Sequence, residues 1–375
     1  MMNIFHLVAD IKSKLPGFLE KMEGTVPGSY RYSLSGDLFP ANYHFGLGNT
    51  VFAVRTKFIL NMIGREDLID AATYIKSFQT IDGYIFDPTV MRKSAFRRWY
   101  YAGRTLDFNN FFNEQTKRAE TRQSLETLGY LGIRSDIIFQ NIPSTSEQVK
   151  KYIHSLNWKS PWGASSHISH LLFFLKYNQI LFHHSLNNIG DLIKEVIEEI
   201  NKYQQQEDGS WYDPSVRLPP SEKVNSAMKM MIAHRAAGDY EFRYPERLID
   251  LCLNTINDGH ACNHFNIICV LYYSSKLTDH RKNEMIDYAI KRIQLYQEHY
   301  WEDHGAFSFQ KGKANSTYYN AKISRGFAEP DIHGTVMFLN GIALIADLLE
   351  IREKLGIKDI EAMRCPEAYL MLNSV

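Results

Sequence analysis

Six stretches of the chain are apolar nearly all the way round a helical repeat. They cover residues 49–63, 119–131, 164–177, 224–237, 261–274 and 333–349. A helix with that pattern is buried against neighbours on both sides. The intervening stretches, such as 65–78 and 188–203, carry apolar residues at helical spacing on one face, which is typical of helices packed outside a buried layer. Strand-like alternation is scarce, so we predict an all-α fold with six buried helices.

A twelve-residue repeat separates some of these helical stretches. Residues 79–90 read QTIDGYIFDPTV and residues 205–216 read QQEDGSWYDPSV, with six identities in twelve positions. The sequence HGAFSF at 304–309 is a weaker third copy. In the two full copies the Asp-Gly and Asp-Pro pairs are expected to end a helix and turn the chain. The repeat therefore indicates a fold assembled from similar helical units.

The six buried stretches and the repeat together predict a single (α/α)6 toroid over residues 1–375. In such a fold six helical hairpins surround a central cavity, and the inner helix of each hairpin lines it. Residues 1–22 form the outer helix that closes the ring in this prediction, and residues 350–375 form a C-terminal extension.

Gln205, Gly209 and Trp211 reproduce a QxxxGxW motif, and Gln79 and Gly83 form a partial copy of it. The chain resembles the superfamily of terpenoid cyclases and protein prenyltransferases, in which this motif marks α/α toroids. The resemblance covers most of the chain by pattern, but at residue level only the turns and one late helix match. It implies an enzyme with a central active site for a hydrophobic or diphosphate-bearing substrate.

The late helix, 329–346 (EPDIHGTVMFLNGIALIA), is similar to the helix that opens with a zinc-binding His in prenyltransferase β-subunits. The resemblance implies that His333 is a metal ligand. Asp258 and His260 stand where that family has Asp-x-Cys, which implies a site for zinc or ferrous iron made by Asp258, His260 and His333. Cys262 is close enough in sequence to replace one of them. Alternatively, these histidines cap helices and bind neighbouring polar groups.

Class II terpenoid cyclases carry a DxDDT motif at a similar helix, and the corresponding string here is Asp331-Ile332-His333-Gly334-Thr335. His333 then takes the place of the catalytic acid, with Asp331 beside it. An imidazole is a much weaker acid for protonating an alkene than a carboxylic acid, so ordinary class II cyclisation is disfavoured.

Carbohydrate-active α/α toroids provide a competing interpretation. Polysaccharide lyases, uronyl epimerases and glycosidases of this type combine aromatic platforms with Arg residues and a Tyr or His base. Candidate substrate-binding residues here are Arg98, Trp99, Tyr100, Arg118, Arg122, Trp162 and Trp211. Guanidinium groups bind carboxylate, sulfate or phosphate. His167 and His170 share a helix face and are candidate catalytic bases, unless they only fill space at a helix start.

Composition limits the remaining classes. Lys plus Arg and Asp plus Glu both total 42, so no net charge attracts nucleic acid. The four cysteines form no CxxC pair, which fits a reducing compartment. No apolar run approaches the roughly 20 residues of a membrane span. We therefore expect a cytoplasmic protein with no transmembrane segment and a small-molecule or glycan substrate.

Three functions stay open at this point. The first is a terpenoid-cyclase or prenyltransferase-like enzyme, with zinc or iron as its cofactor if it is metal-assisted. The second is an enzyme that acts on an acidic glycan by elimination, hydrolysis or epimerisation. The third is a non-catalytic toroid that only binds. Histidines gathered at the starts of predicted inner helices favour an enzyme. The oligomeric state is not predicted.

Overall fold

The computed structural model describes residues 3–39, 43–105, 108, 111–112, 114–134, 138–182, 188–238, 241–361, 364, 366, 368 and 373–374. Thirteen α-helices occur in these ranges, and each strand found there is two residues long. The prediction of an all-α fold is therefore confirmed at the level of helix content. Of the described helices, none combines the length and the apolar character needed to cross a bilayer.

In chain order the helices are α1 (Ile4–Met22), α2 (Leu47–Ile59), α3 (Ala72–Lys76, after a π-helical turn at Asp67–Ala71), α4 (Pro88–Thr105), α5 (Glu114–Tyr130), α6 (Ser146–Ser155), α7 (Pro161–Phe182), α8 (Ile189–Ile200), α9 (Pro220–Ala237), α10 (Pro245–Leu253), α11 (Ala261–Ser274), α12 (Lys282–Tyr296) and α13 (Ile332–Leu348). The strands are β1 (Ile133–Arg134), β2 (Tyr300–Trp301), β3 (Ala306–Phe307), β4 (Thr317–Tyr318), β5 (Ala321–Lys322) and β6 (Asn373–Ser374). β1 pairs with β6 in parallel, whereas β2 with β3 and β4 with β5 form antiparallel pairs.

Six helices, α2, α5, α7, α9, α11 and α13, coincide with the six stretches predicted to be buried. Each of them packs against the next one in chain order, and α13 packs against α2, so their contacts close on themselves. Four further helices pack against members of this set: α3 against α2 and α5, α8 against α7, α10 against α9 and α11, and α12 against α11 and α13.

Helix α5 differs from the expected pattern because its buried residues are mostly polar. Thr121, Glu126 and Thr127 are among its buried positions. The sequence pattern predicted a helix that is apolar all round, and for α5 that prediction was wrong. Its polar side chains are buried because they bond to neighbouring segments, as when Thr121 accepts from the backbone N–H of Ile85 at 3.0 Å.

The sequence repeat forms tight turns. Gln79 pairs with Ile85 in a β-bridge, and Gln204 pairs with Trp211 in the second copy. Gly209 has a φ of 76°, a left-handed conformation that favours glycine. The weaker third copy provides β3, which pairs with β2. The Asp-Gly pairs of both full copies thus lie in turns as predicted, whereas the Asp-Pro pair of the first copy leads into helix α4, which begins at Pro88.

The sequence analysis predicted a helix at residues 1–22 and an extension at residues 350–375. Residues 1–22 do contain a helix: α1 begins after Asn3, whose side chain accepts from the Phe5 amide at 3.2 Å, and ends at Met22. Of the extension 350–375, residues 350–361 are described as turns and irregular structure, and β6 pairs with β1. Residues 362–363, 365, 367, 369–372 and 375 lie outside the described residues.

Candidate functional site

Two adjoining cavities lie among the six buried helices. The larger, of about 650 Å³, is lined by residues of α4, α5 and α7, and we name it the α4 cavity. The smaller, of about 470 Å³, is lined by residues of α2, α5, α9, α11 and α13, and we name it the α13 cavity. They share a wall formed by Arg122, Gln123, Trp162, Lys229, Tyr319 and Asn320. All six buried helices therefore contribute side chains to this adjoining space.

Two cations stand side by side in the shared wall. Nζ of Lys229 lies 4.6 Å from the centroid of the Trp162 ring, a cation–π contact. Burial lowers the pKa of Lys229 to about 8, and the positive charge of Arg122 acts in the same direction. An anion bound at this wall would be attracted by both cations.

One carboxylate partly neutralises the cations. Glu126 binds Arg55 through one oxygen and Arg122 through the other. Burial opposes its ionisation, but the charges of Arg122 and Arg55 lower the pKa of Glu126 nevertheless. Glu126 is the only carboxylate among the described residues that line the two cavities. The wall around Arg55, Arg122 and Lys229 therefore keeps an excess of positive charge.

The hairpin β4–β5 supplies the other side of the shared wall. Its tip residues, Tyr319 and Asn320, have φ values of 44° and 67°. Such left-handed backbone costs a non-glycine residue roughly 1–2 kcal/mol. The Tyr319 hydroxyl accepts a 2.9 Å hydrogen bond from Nε2 of Gln123, which ties the tip to α5. Strain of this kind is often found where a side chain has to be held at a functional site.

His167 lines the α4 cavity and belongs to a chain of three side chains. Its Nδ1 lies 3.0 Å from the Tyr152 hydroxyl oxygen, which also accepts a 2.8 Å bond from Nη1 of Arg118. Because Arg118 can only donate, the Tyr152 hydrogen is available for Nδ1. When the Tyr152 hydroxyl donates to Nδ1, a neutral imidazole carries its own proton on Nε2.

His170 lies one helical turn further on and lines neither cavity. It is buried, and its Nδ1 has no hydrogen-bond partner among the described residues. Burial, followed by the charge of Arg122, lowers its pKa, so the imidazole is neutral. Of the two candidate bases, only His167 therefore reaches a cavity.

His333 lines the α13 cavity from the first turn of the buried helix α13. Its Nδ1 lies 3.2 Å from the Tyr32 hydroxyl, and its ring stacks on Phe52 at a centroid distance of 4.5 Å. Burial lowers the pKa of His333 to about 3, and His260 contributes in the same direction. The imidazole is therefore neutral near pH 7.

The predicted metal ligands are only partly brought together. His260 and Cys262 line the same cavity as His333, whereas Asp258 is exposed and lines neither cavity. Phe309 packs against both imidazoles, 5.1 Å from His260 and 4.6 Å from His333 between ring centroids. In the described part of the chain, no three His, Cys, Asp or Glu side chains are grouped closely enough to hold a metal ion. The zinc or iron site remains a prediction.

Asp331 and its neighbours hold the start of α13 against the preceding segment. One Asp331 oxygen accepts from Gly334 N at 2.7 Å, and the other accepts from Phe309 N at 2.8 Å. The Thr335 hydroxyl lies 3.0 Å from Phe307 N and 3.1 Å from its carbonyl oxygen. Asp331 is completely buried and lines neither cavity. Within the DIHGT string, His333 is the residue that reaches a cavity.

The aromatic and Arg candidates occupy different places. Arg98, Tyr100, Arg122 and Trp162 line the α4 cavity. Trp99 is exposed outside that lining, and Arg118 is buried behind it. Trp211 is completely buried between the rings of His234 and Phe242, where it packs the fold and lines neither cavity.

The lining residues that were not found from sequence include Lys229, Tyr319, Gln123 and Asn266. Asn266 donates to Oδ1 of Asn225 at 2.9 Å, and its own Oδ1 has no partner among the described residues. Buried polar atoms normally have a hydrogen-bond partner. Lys229 and Asn266 could have been found from sequence, because each is a polar residue within an otherwise apolar helix.

Comparison with known protein families, with curated proteins and with solved structures gives no match to this chain.

Proposed function

We propose that the six mutually packed helices are the inner ring of a single (α/α)6 toroid and that its central space acts on an acidic saccharide. The closed order of contacts among α2, α5, α7, α9, α11 and α13 supports the ring. The outer positions of α3, α8, α10 and α12 fit the second member of each hairpin. The cation pair Arg122 and Lys229 in the shared wall carries the functional proposal.

The lining chemistry supports a saccharide with an anionic group. Carboxylates bind well to closely spaced Arg and Lys side chains. Amide side chains suit hydroxyl groups, and Gln123, Asn266, Asn320 and Asn340 all line the cavities. Trp162 offers a ring face beside the cations, which suits stacking with a sugar ring.

The scarcity of carboxylates selects among carbohydrate reactions. Glycoside hydrolysis generally needs two carboxyl groups, one of them protonated. The described lining offers only Glu126, which is held ionised by two guanidinium groups. Elimination and epimerisation instead begin with loss of the proton next to a substrate carboxylate. Arg122 would stabilise the negative charge that develops on that carboxylate, so we favour these two reactions.

Proton transfer would fall to neutral side chains of the same space. His167, with its proton on Nε2, suits donation to a leaving oxygen. The candidate base is the unprotonated form of Lys229, which the lowered pKa of about 8 makes available near neutral pH, and Arg122 then faces the substrate carboxylate. The role of His167 thus differs from the general base expected from sequence.

A specific observation keeps the isoprenoid alternative as a second candidate. Phe52, Phe265 and Phe309 line the α13 cavity around neutral His333. A diphosphate at Arg122 and Lys229 could place an apolar chain among these rings. A metal-assisted form of that reaction would need ligands beyond the His260–His333 pair, and we base no step on it.

The test compares ligand binding and turnover. Calorimetric titration would use oligouronates, matched neutral oligosaccharides and farnesyl diphosphate, against wild type, Lys229→Gln and the surface control Lys194→Gln. We expect oligouronate binding by wild type and the control, weakened at least roughly tenfold in Lys229→Gln. Product formation would be followed by the ultraviolet absorbance of an unsaturated uronate and by solvent deuterium uptake in proton NMR. Binding of farnesyl diphosphate alone would overturn the proposal in favour of the second candidate, and binding without turnover would leave a binding domain.

A further inference from the structure

Helix α4 is strongly basic. Between Pro88 and Thr105 it contains five cations and neither Asp nor Glu. Those cations are Arg92, Lys93, Arg97, Arg98 and Arg104. All of them except Arg98 are exposed, although the chain as a whole has equal numbers of acidic and basic residues. The positive charge is therefore concentrated on one face of the molecule.

The same face exposes large aromatic side chains. Phe96 is 77% exposed, Trp99 58% and Tyr100 63%, and Phe112, just beyond the helix, is 75% exposed. Single exposed apolar side chains are ordinary, but a cluster of them on one surface usually marks an interaction site. We name Arg92, Lys93, Phe96, Trp99, Tyr100 and Phe112 the α4 surface.

We propose that the α4 surface docks onto an anionic lipid bilayer, with its aromatic rings entering the headgroup region and its cations meeting lipid phosphates. Helices that lie in a membrane interface combine aromatic residues on one side with Lys and Arg that face the headgroups. Each Lys or Arg near an anionic membrane adds to the attraction. The proposal does not depend on the reaction proposed above.

Two other occupants fit the same surface less well. A second copy of the chain would bring two clusters of cations together without carboxylates on α4 to offset them. A polysaccharide could bond to the polar groups of this surface, but it would leave the purely apolar rings of Phe96 and Phe112 in contact with water. A bilayer satisfies both features, since it accepts unpaired apolar rings and supplies negative charge.

Docking would also orient the site. Arg97 and Tyr100 are exposed on α4 and line the α4 cavity. The entrance to that cavity would therefore lie beside lipid headgroups when the helix is docked. Trp99 stacks with Phe111 at a centroid distance of 6.4 Å, and Arg98 donates to the Phe111 carbonyl at 3.1 Å, which links the segment beyond α4 to the helix.

Vesicle sedimentation tests the proposal with the full chain. Vesicles of phosphatidylcholine alone would be compared with vesicles that also contain phosphatidylglycerol. The variants are Phe96→Ser/Phe112→Ser and Arg92→Gln/Lys93→Gln, and the control is Ile256→Ser, which removes an apolar side chain that is 84% exposed elsewhere. Far-UV circular dichroism would verify that each variant is folded.

We expect wild type and Ile256→Ser to bind the anionic vesicles and to be released by salt. The Arg92/Lys93 double variant should bind roughly thirtyfold more weakly, from the loss of two charges near the surface. The Phe96/Phe112 double variant should lose at least roughly tenfold, from the loss of two inserted rings. Absence of wild-type binding to anionic vesicles would overturn the proposal. The proposal would also be overturned if these variants kept vesicle binding but lost binding of a soluble polyuronate. Loss of dimerisation in analytical ultracentrifugation, with vesicle binding kept, would overturn it as well.

Discussion

Replacement of Gly334 by Ala tests whether the DIHGT string holds the cavity wall in place. Gly334 stands in the first turn of α13, directly against the backbone of the preceding segment. A Cβ atom there would lie 2.3 Å from Phe309 N and 2.5 Å from the carbonyl carbon of Ser308. Atoms of this kind pack at about 3.5–4.0 Å, so one of the two segments has to move by roughly 1 Å.

The cost has two parts. Overpacking of a tightly packed site costs about 1–3 kcal/mol. The movement would also stretch the bond from Phe309 N to Asp331, now 2.8 Å long. Burial raises the pKa of Asp331 to about 7, so its carboxyl group is not fully charged and we take the about 0.5–1.5 kcal/mol of an ordinary hydrogen bond. We expect Gly334→Ala to lower the free energy of unfolding by roughly 2–4 kcal/mol, a large part of the total stability of an ordinary domain.

Urea unfolding followed by far-UV circular dichroism measures this difference. Gly17→Ala is a matched control, because Gly17 is in helix α1 and a Cβ atom there meets nothing within 4 Å. That variant should be more stable by about 0.5–1 kcal/mol, since Ala is the better helix former. If Gly334→Ala unfolds within about 0.5 kcal/mol of wild type, with an unchanged urea dependence, the close approach is not a constraint and the reasoning fails.

Three further predictions concern the shared wall. Glu126→Gln should destabilise the fold by about 3–5 kcal/mol in urea unfolding, because it leaves Arg55 and Arg122 buried without their carboxylate. A loss of stability below about 1 kcal/mol would show that solvent already screens these charges. Anion binding should weaken as the pH rises through about 8, where Lys229 loses its proton and thus its charge. Calorimetric titrations from pH 6 to 10 should show this decrease in affinity in wild type and not in Lys229→Gln. Asn320→Gly should keep or raise the melting temperature, because Gly adopts the positive φ of this turn without strain, and a clear decrease would show that the Asn side chain itself stabilises the hairpin.

The buried helices could be predicted because their signal is local. Segments such as 164–177 and 261–274 are apolar on every side, and the structure gives α7 and α11 there. The turn after α8 could be predicted for the same reason, since Asp-Gly and Asp-Pro pairs act on their own backbone. The exception is α5, which lies among the buried helices but is polar on the buried side.

The site could be predicted only in part. His333, Arg122 and Trp162 were found because a His, Arg or Trp at an inner-helix start is conspicuous in the sequence. Asp331 was expected to be a catalytic residue, but in the structure its side chain accepts hydrogen bonds from the backbone N–H groups of Phe309 and Gly334. Asp331 is the N-cap residue of α13, and Asp is common at that position. This structural role is a local feature that the sequence could have indicated.

The sequence by itself determined the apolar buried helices and the Asp-Gly turns, because each depends on residues close together in the chain. Only the tertiary structure decided which polar side chains meet. Lys229, Arg122 and Tyr319 come from three distant segments, and no spacing in the sequence relates them. The low pKa of Lys229 likewise depends on burial and on the charge of Arg122, so it arises only when the helices pack together.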